Sequence, residues 1–246
     1  MKVIGTDVYD QGMDAAIAEF IVLAQSRPEN HLVSPSDATV LVEARRNSKF
    51  RTLLHSYFWN LPDGVPSVWI LKRKGAKKAN RISGPDFFKR IIIETKDLPV
   101  QHFLCGGVVG VAEDLAKQCN LWGNSNIVGT YSPPFRTLSN DDYREMAVRI
   151  NQSNANVVWI GIGAPKQIYF AYELAKYTKV QFLVTIGAAF DFHTNRVKKA
   201  PQWIQKMGME WFYRLCQEPR RLAKRYFKVV PLFIFYAFVD LFKRGN

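Results

Sequence analysis

The sequence predicts an α/β protein: a mostly parallel sheet with helices on both faces, followed by a basic, aromatic helical appendage. Three observations lead there. Short apolar runs with β-branched residues recur, each followed by an amphipathic stretch, the alternation a parallel sheet with covering helices requires. Glycines gather where such runs give way to helices, at Gly106-Gly107 and at Gly161-Ile162-Gly163. The net charge of +13 is unevenly spread: residues 196–246 hold 12 Lys+Arg against 3 Asp+Glu, and the preceding 195 hold 22 against 18.

The elements follow in order. An apolar run predicts a first strand at Lys2–Val8, and the amphipathic stretch behind it a helix at Asp14–Ser26. The next pair is a strand at His31–Ser34 and a helix at Asp37–Asn47. A helix at Gly84–Lys96 precedes a strand at Gln101–Cys105 and a helix at Val108–Cys119. The strand Asn126–Thr130 leads to the helix Asp141–Ser153. The strand Asn156–Gly161 leads to the helix Lys166–Tyr177, and Gln181–Ile186 is the last strand. There is no internal repeat, low-complexity segment or long linker. Composition shifts near Asn195, which divides a core, residues 1–195, from an appendage, residues 196–246.

A chain of 246 residues can bury a sizeable core without splitting into two domains. Its 48% hydrophobic and 22% charged content is that of an ordinary globular protein. Cys105, Cys119 and Cys216 are odd in number and far apart, so a reducing compartment is expected. The N-terminal MKVIGTDVYDQGMD has no apolar core of signal-peptide length. The run Val229–Phe242 carries Pro231 and Asp240 and falls short of the roughly 18–20 apolar residues of a spanning helix. It suits lying on a bilayer instead.

Parallel sheets bind ligands at the loops beyond the carboxyl ends of their strands, and three such loops carry chemistry. Asp63, in Leu61-Pro62-Asp63-Gly64-Val65-Pro66, is either a turn residue or a carboxylate seated by the apolar Tyr57-Phe58-Trp59-Asn60-Leu61 in a partly desolvated cleft. A carboxylate so placed is a better proton acceptor. In Val157–Gln167, Gly161 and Gly163 permit close backbone approach. Pro165 suits a first helical turn, and the helix start near Lys166 and Gln167 offers N–H groups to an anion. The alternative is a plain strand-to-helix turn, and the glycine spacing is not that of a Walker loop. Phe103–Asp114, with Gly106, Gly107 and Gly110, resembles half of a dinucleotide fingerprint. It lacks the first glycine and the downstream acid, which argues against NAD and leaves a nucleotide-facing strand-to-helix turn or a packing role.

Other features bound the partners. Arg214, Arg220, Arg221, Lys224, Arg225 and Lys228 stand among Trp211, Phe212, Tyr213, Tyr226 and Phe227, a composition suited to anionic phosphates at a membrane surface. Arg214, Arg221 and Arg225 share one helical face if the helix is continuous; Pro219 makes two helices meeting at a turn the alternative. Lys72, Arg73, Lys74, Lys77, Lys78 and Arg81 are solvated surface or a second contact for anionic lipid or pyrophosphate. His31, His55, His102 and His193 have no metal-ligand spacing, and no Asp-x-Asp occurs, so no metal or other cofactor is expected.

Six segments in order carry a family resemblance: LPDG (61–64), ISGPDFF (82–88), FLCGG (103–107), GIGAPKQ (161–167), IGAAFDF (186–192) and KKAPQWIQKMGMEWFYRLCQEPRRLAKRY (198–226). Together they resemble the bacterial WecG/TagA/CpsF glycosyltransferases, family 26. The resemblance implies a Rossmann-like core with a C-terminal appendage. It implies inverting, metal-independent transfer from a UDP-sugar to a polyprenyl-diphosphate-linked sugar in cell-surface polymer synthesis. By it, Asp63 is the catalytic base and Arg214, Arg221 and Arg225 grip diphosphate. Ser34, Ser36, Gly107, Gly161, Gly163, Lys166, Gln167 and Asp191 hold substrate. The implied location is cytoplasmic, peripheral on the inner face of the plasma membrane, with a homo-oligomer allowed. Three departures stand out. Ser34-Pro35-Ser36 replaces the family's Thr-x-Asn, Ile168 replaces a Glu, and His193-Thr194-Asn195 replaces a Gly and a small residue. The donor sugar is therefore expected only as a hexose or N-acetylhexosamine. Two rivals are an inactive membrane-bound scaffold of the same fold and a nucleic-acid-binding protein. The apolar run beside the tail's charges has no use on a polynucleotide, so no nucleic acid is expected.

Overall fold

The computed structural model describes residues 1–242; Lys243 and Arg244, expected to reach lipid headgroups, lie outside the described residues. Six strands form one parallel sheet: β3 (His31–Ser36), β4 (Trp59–Pro62), β5 (His102–Gly106), β6 (Ile127–Tyr131), β7 (Val157–Gly161) and β8 (Phe182–Thr185). Their spatial order is β4-β3-β8-β7-β5-β6, so every strand ends at the same edge. Alternation along β7 and β8 shows why both faces are covered. Val157, Trp159, Phe182 and Val184 point to one side, and Val158, Ile160 and Leu183 to the other, all buried.

The first face is covered by α1 (Met13–Ala24), α5 (Gly84–Glu94), α6 (Val111–Leu121) and the short α9 (Ala189–His193). Phe20, Phe87 and Phe88 meet Trp159 there, and burial of each such ring contributes about 1.5–3 kcal/mol. The second face is covered by α2 (Ala38–Arg46), α3 (Ser48–His55), α7 (Asn140–Gln152) and α8 (Lys166–Ala175). Asp37 starts α2 by accepting from the Thr39 and Val40 N–H groups at 2.9 and 3.1 Å. Ser139 and Asp142 close a reciprocal capping box on α7.

A third cluster builds the appendage into the molecule. α10 (Gln202–Lys206), α11 (Glu210–Gln217) and α12 (Pro219–Phe242) follow the core. Val229 and Phe233 of α12 pack with Leu41 and Val42 of α2, with Ile70 and Leu71 of α4 (Val65–Arg73), and with Val3, Ile4 and Val8. Asp240 fastens that helix, accepting from Lys74 Nζ at 2.7 Å and from the Ile4 N–H at 3.0 Å. The opposite side of α12 leaves Phe227, Phe235 and Phe242 exposed, and Ile234 and Phe238 are exposed toward the cleft. Among the described residues, no helix is long and apolar enough to cross a membrane.

The structure corrects several expected elements. Lys2–Val8 is not one strand but a small antiparallel hairpin, β1 (Lys2–Val3) and β2 (Thr6–Asp7), outside the main sheet. Ile4 at φ 42° and Gly5 at φ 92° reverse the chain as a tight hairpin turn requires. β4, α3 and α4 were not expected: β4 is only four residues long and ends in proline, which hid its period. α6 starts at Val111 rather than Val108, because Gly107 and Gly110 take positive φ and hold the chain in a loop. In the appendage the break falls at Glu218, so α11 and α12 are separate helices.

Candidate active site

The shared edge of the sheet opens into a cleft of about 1530 Å³, roofed by the appendage. Each floor loop leaves the carboxyl end of a strand: Asp37 after β3, Asp63 after β4, Gly107 after β5, Gly161–Gln167 after β7, and Ile186–Asp191 after β8. The appendage supplies Gln205, Glu210, Arg214, Arg221 and Arg225 to the roof. Seven cationic side chains line the cleft against four carboxylates. The cleft is thus a place for an anion.

Asp63 stands at the tip of β4, with Gly64 as the cap of α4 behind it. Its side chain is 22% exposed, and its Oδ1 lies 3.7 Å from Arg81 Nη2. Burial pushes the Asp63 carboxyl up to about 8. Arg81 and the Gly84 N–H oppose the rise, and the Asp37 and Glu210 carboxylates add to it. In its ionised form an aspartate held there draws a proton strongly, as a general base must, and that form gains weight as the pH rises toward about 8.

The β7 loop is shaped by close packing. A Cβ at Gly161 would meet the Phe190 ring at 2.6 Å, and one at Gly106, its neighbour in the sheet, would meet the Gly161 carbonyl oxygen at 2.6 Å. Only glycine fits at either place. Gly163 takes φ 87°, the Ala164–Pro165 peptide is cis, and α8 begins at Lys166. Gln167 is buried and accepts from the Gly187 N–H at 3.0 Å, tying this loop to the one after β8. Lys166 lies over the ring of Phe135, 5.7 Å from its centroid.

The arginines converge from two of the appendage helices, Arg214 from α11 and Arg221 and Arg225 from α12. Arg214 stacks on Phe192, with Cζ 5.2 Å from the ring centroid. Glu218, at the break, pairs with Arg221 at 2.6 Å and with Arg214 at 3.8 Å. Burial lifts the Asp191 carboxyl above its ordinary range, against the pull of Arg221, Arg214 and Arg196. The Nε atoms of Arg214 and Arg225 are buried and have no hydrogen-bond partner among the described residues. Buried donors are rarely left so.

Of the residues picked from sequence, Asp63, Gly107, Gly161, Gly163, Lys166, Gln167, Asp191, Arg214, Arg221 and Arg225 line this one cleft. Ser34 and Ser36 do not. Both are fully buried in β3, where Ser36 Oγ donates to the Ser34 carbonyl at 3.1 Å, and the wall of that loop is formed by Pro35, Asp37 and Thr39. The basic cluster divides. Lys72, Arg73, Lys77 and Lys78 are exposed, Lys74 binds Asp240, and Arg81 turns into the cleft. Glu210 went unnoticed because only its pairing with Arg81, at 2.5 Å, marks it out. Asp37, Arg136 and Arg196 also line the cleft without a signal in their sequence context. No group of three or more His, Cys, Asp or Glu able to hold a metal occurs among the described residues.

The whole chain, residues 1–246, matches the family model described as Glycosyl transferase WecG/TagA/CpsF family. With its parallel sheet, its cleft at the strand ends and its C-terminal helices, the chain belongs to the WecG/TagA/CpsF glycosyltransferase family.

Proposed function

We propose that the protein is an inverting glycosyltransferase moving a hexose or N-acetylhexosamine from a UDP-sugar to a polyprenyl-diphosphate-linked sugar during synthesis of a cell-surface polymer. One observation carries the reading: a single cleft joins a carboxylate with raised proton affinity to a cluster of three arginines, two of which, Arg214 and Arg225, have buried Nε atoms without partners. The acceptor hydroxyl gives its proton to Asp63 as its oxygen forms the new bond to the anomeric carbon. The bond from that carbon to the diphosphate oxygen breaks, and its electron pair leaves with UDP. Attack from the face opposite the departing diphosphate inverts the anomeric centre. Arg214, Arg221 and Arg225 bind the diphosphate, where planar guanidinium groups pair phosphate oxygens well and stabilise the departing charge. Gln167 and Lys166, at the start of α8, orient the donor. No metal is needed, since cations of the protein do that work.

The acceptor's lipid has a place in the same cleft. Beyond the arginines its wall turns apolar, with Trp69 and Ile70 of α4 facing Val230, Phe233, Ile234 and Phe238 of α12. The exposed aromatic side of α12 lies on the bilayer interface on the cytoplasmic side, so the enzyme meets its acceptor where the acceptor is anchored. The test is a UDP-release screen across UDP-sugars, with and without a polyprenyl-diphosphate-linked monosaccharide. Release with at least one donor, dependent on the lipid-linked acceptor, supports the reading. Release with none overturns it and favours an inactive scaffold.

A further inference from the structure

Arg81 is one guanidinium between two carboxylates. Its Nη2 donates to Glu210 Oε2 at 2.5 Å, while the same atom stands 3.7 Å from Asp63 Oδ1, beyond hydrogen-bond range. Its Nη1 donates to Gln205 Oε1 at 3.1 Å, and Gln205 Nε2 in turn donates to the Ala200 carbonyl at 2.6 Å. Arg81 belongs to the core, whereas Glu210 opens α11 and Gln205 lies in α10. The appendage therefore clasps the cation nearest the proton acceptor with two side chains.

We propose that Glu210 is a positioning residue acting through Arg81: it holds the guanidinium out of hydrogen-bond contact with Asp63 and leaves that carboxylate open to the acceptor's proton. Without Glu210, the Arg81 fork needs to move only about 1 Å to reach hydrogen-bond distance from Asp63. A carboxylate paired with arginine typically loses about 1–3 units of pKa and with it the power to draw a proton from a hydroxyl. The other charges facing Asp63 are fixed. Asp37 is occupied in capping α2, and Asp86, the remaining carboxylate that acts on Arg81, is held by Lys199. Seating the appendage then does two things at once. It brings the arginines over the cleft and frees the base, so a core with its appendage displaced holds Asp63 neutralised by Arg81.

The inference rests on Asp63 as the proton acceptor, but its test reads Asp63 alone and needs no donor or acceptor. Full-length protein labelled with ¹³Cγ-aspartate is titrated by NMR, with the Asp63 signal assigned by its absence in Asp63→Asn. The Asp63 midpoint is expected to fall by about 1 unit or more in Glu210→Gln and to rise in Arg81→Gln. In the Arg81→Gln background, Glu210→Gln is expected to shift it by less than half as much, because the intermediary is gone and only the direct repulsion between the two carboxylates remains. Glu210→Asp, with its charge kept on a shorter reach, gives a midpoint between wild type and Glu210→Gln, and decides the matter if Arg81→Gln does not fold. An unmoved midpoint in Glu210→Gln, equal effects of Glu210→Asp and Glu210→Gln, or a full shift surviving without Arg81 each overturn the proposal. Turnover retained by Asp63→Asn would overturn the catalytic reading and leave this electrostatic linkage standing.

Discussion

Replacing Asp63 with Asn is expected to make the protein more stable as it makes the enzyme inactive, and the gain should depend on pH. Burial raises Asp63 from 3.8 to about 8, so over that interval the native protein holds a proton that the unfolded chain has released. The sign follows. Asp63 lets the fold keep its full stability below about pH 4, and stability is lost progressively as the pH rises through about 8. The whole shift corresponds to ~6 kcal/mol at about 1.36 kcal/mol per unit, and the part already lost at pH 7 to ~4 kcal/mol. The side chain keeps 22% of its surface toward the cleft, so water screens the charge, and halving leaves about 2 kcal/mol at pH 7. For a chain of this size that is a rise in Tm of about 4–8 °C. Thermal melts of wild type and Asp63→Asn from pH 4 to 9.5 test this, since other titrating groups cancel in the difference. The gap should be near zero at pH 4, widen to about pH 8 and then level off. A gap of constant size, or an Asn variant less stable throughout, would refute the claim that Asp63 is a desolvated carboxylate.

Four further outcomes are expected. Gly161→Ala should destabilise the fold by about 1–3 kcal/mol in denaturant titration, because its methyl group meets the Phe190 ring, whereas Gly163→Ala, with nothing within 4 Å, should cost only the strain of its positive φ, about 1–2 kcal/mol. Arg214→Ala, Arg221→Ala and Arg225→Ala should each leave liposome binding intact and lower kcat, with the deepest loss at Arg214 or Arg225, whose Nε atoms are the unpartnered ones. Paired Phe235→Ser and Phe242→Ser changes should weaken binding to anionic liposomes in a sedimentation assay without lowering Tm, since both rings are exposed and outside the cleft. Transfer should persist in excess EDTA; loss on chelation, restored by magnesium or manganese, would reveal a metal site.

What was legible in the sequence follows from range. β5, β7 and β8 are short apolar runs buried on both faces, and each has its residue type written locally, so they were found within a residue or two. Their loops were found because glycine and proline mark places where the backbone bends or approaches closely, and Gly161 under Phe190 is such a place. β4 was missed because four residues ending in proline have no period to read, although Asp63 at its tip was already singled out. Ser34 and Ser36 show the opposite limit. Their hydroxyls suggested a ligand, but β3 runs on through Ser36 and both side chains end in the interior of the sheet. The Arg81–Glu210 pair joins residues 129 positions apart, and nothing near either one in the chain points to the other. Sequence pattern reports local periodicity and conformation; pairings across the fold need the fold.

The most direct test is transfer at single turnover by Asp63→Asn, with the donor found active in the UDP-release screen and a polyprenyl-diphosphate-linked acceptor. UDP binding is measured alongside. A general base in a direct displacement is worth roughly 10²–10⁴-fold in rate. The expected result is a loss of that size with UDP affinity and fold unchanged. Near-normal turnover would contradict the account, because the acceptor's proton would then have another destination.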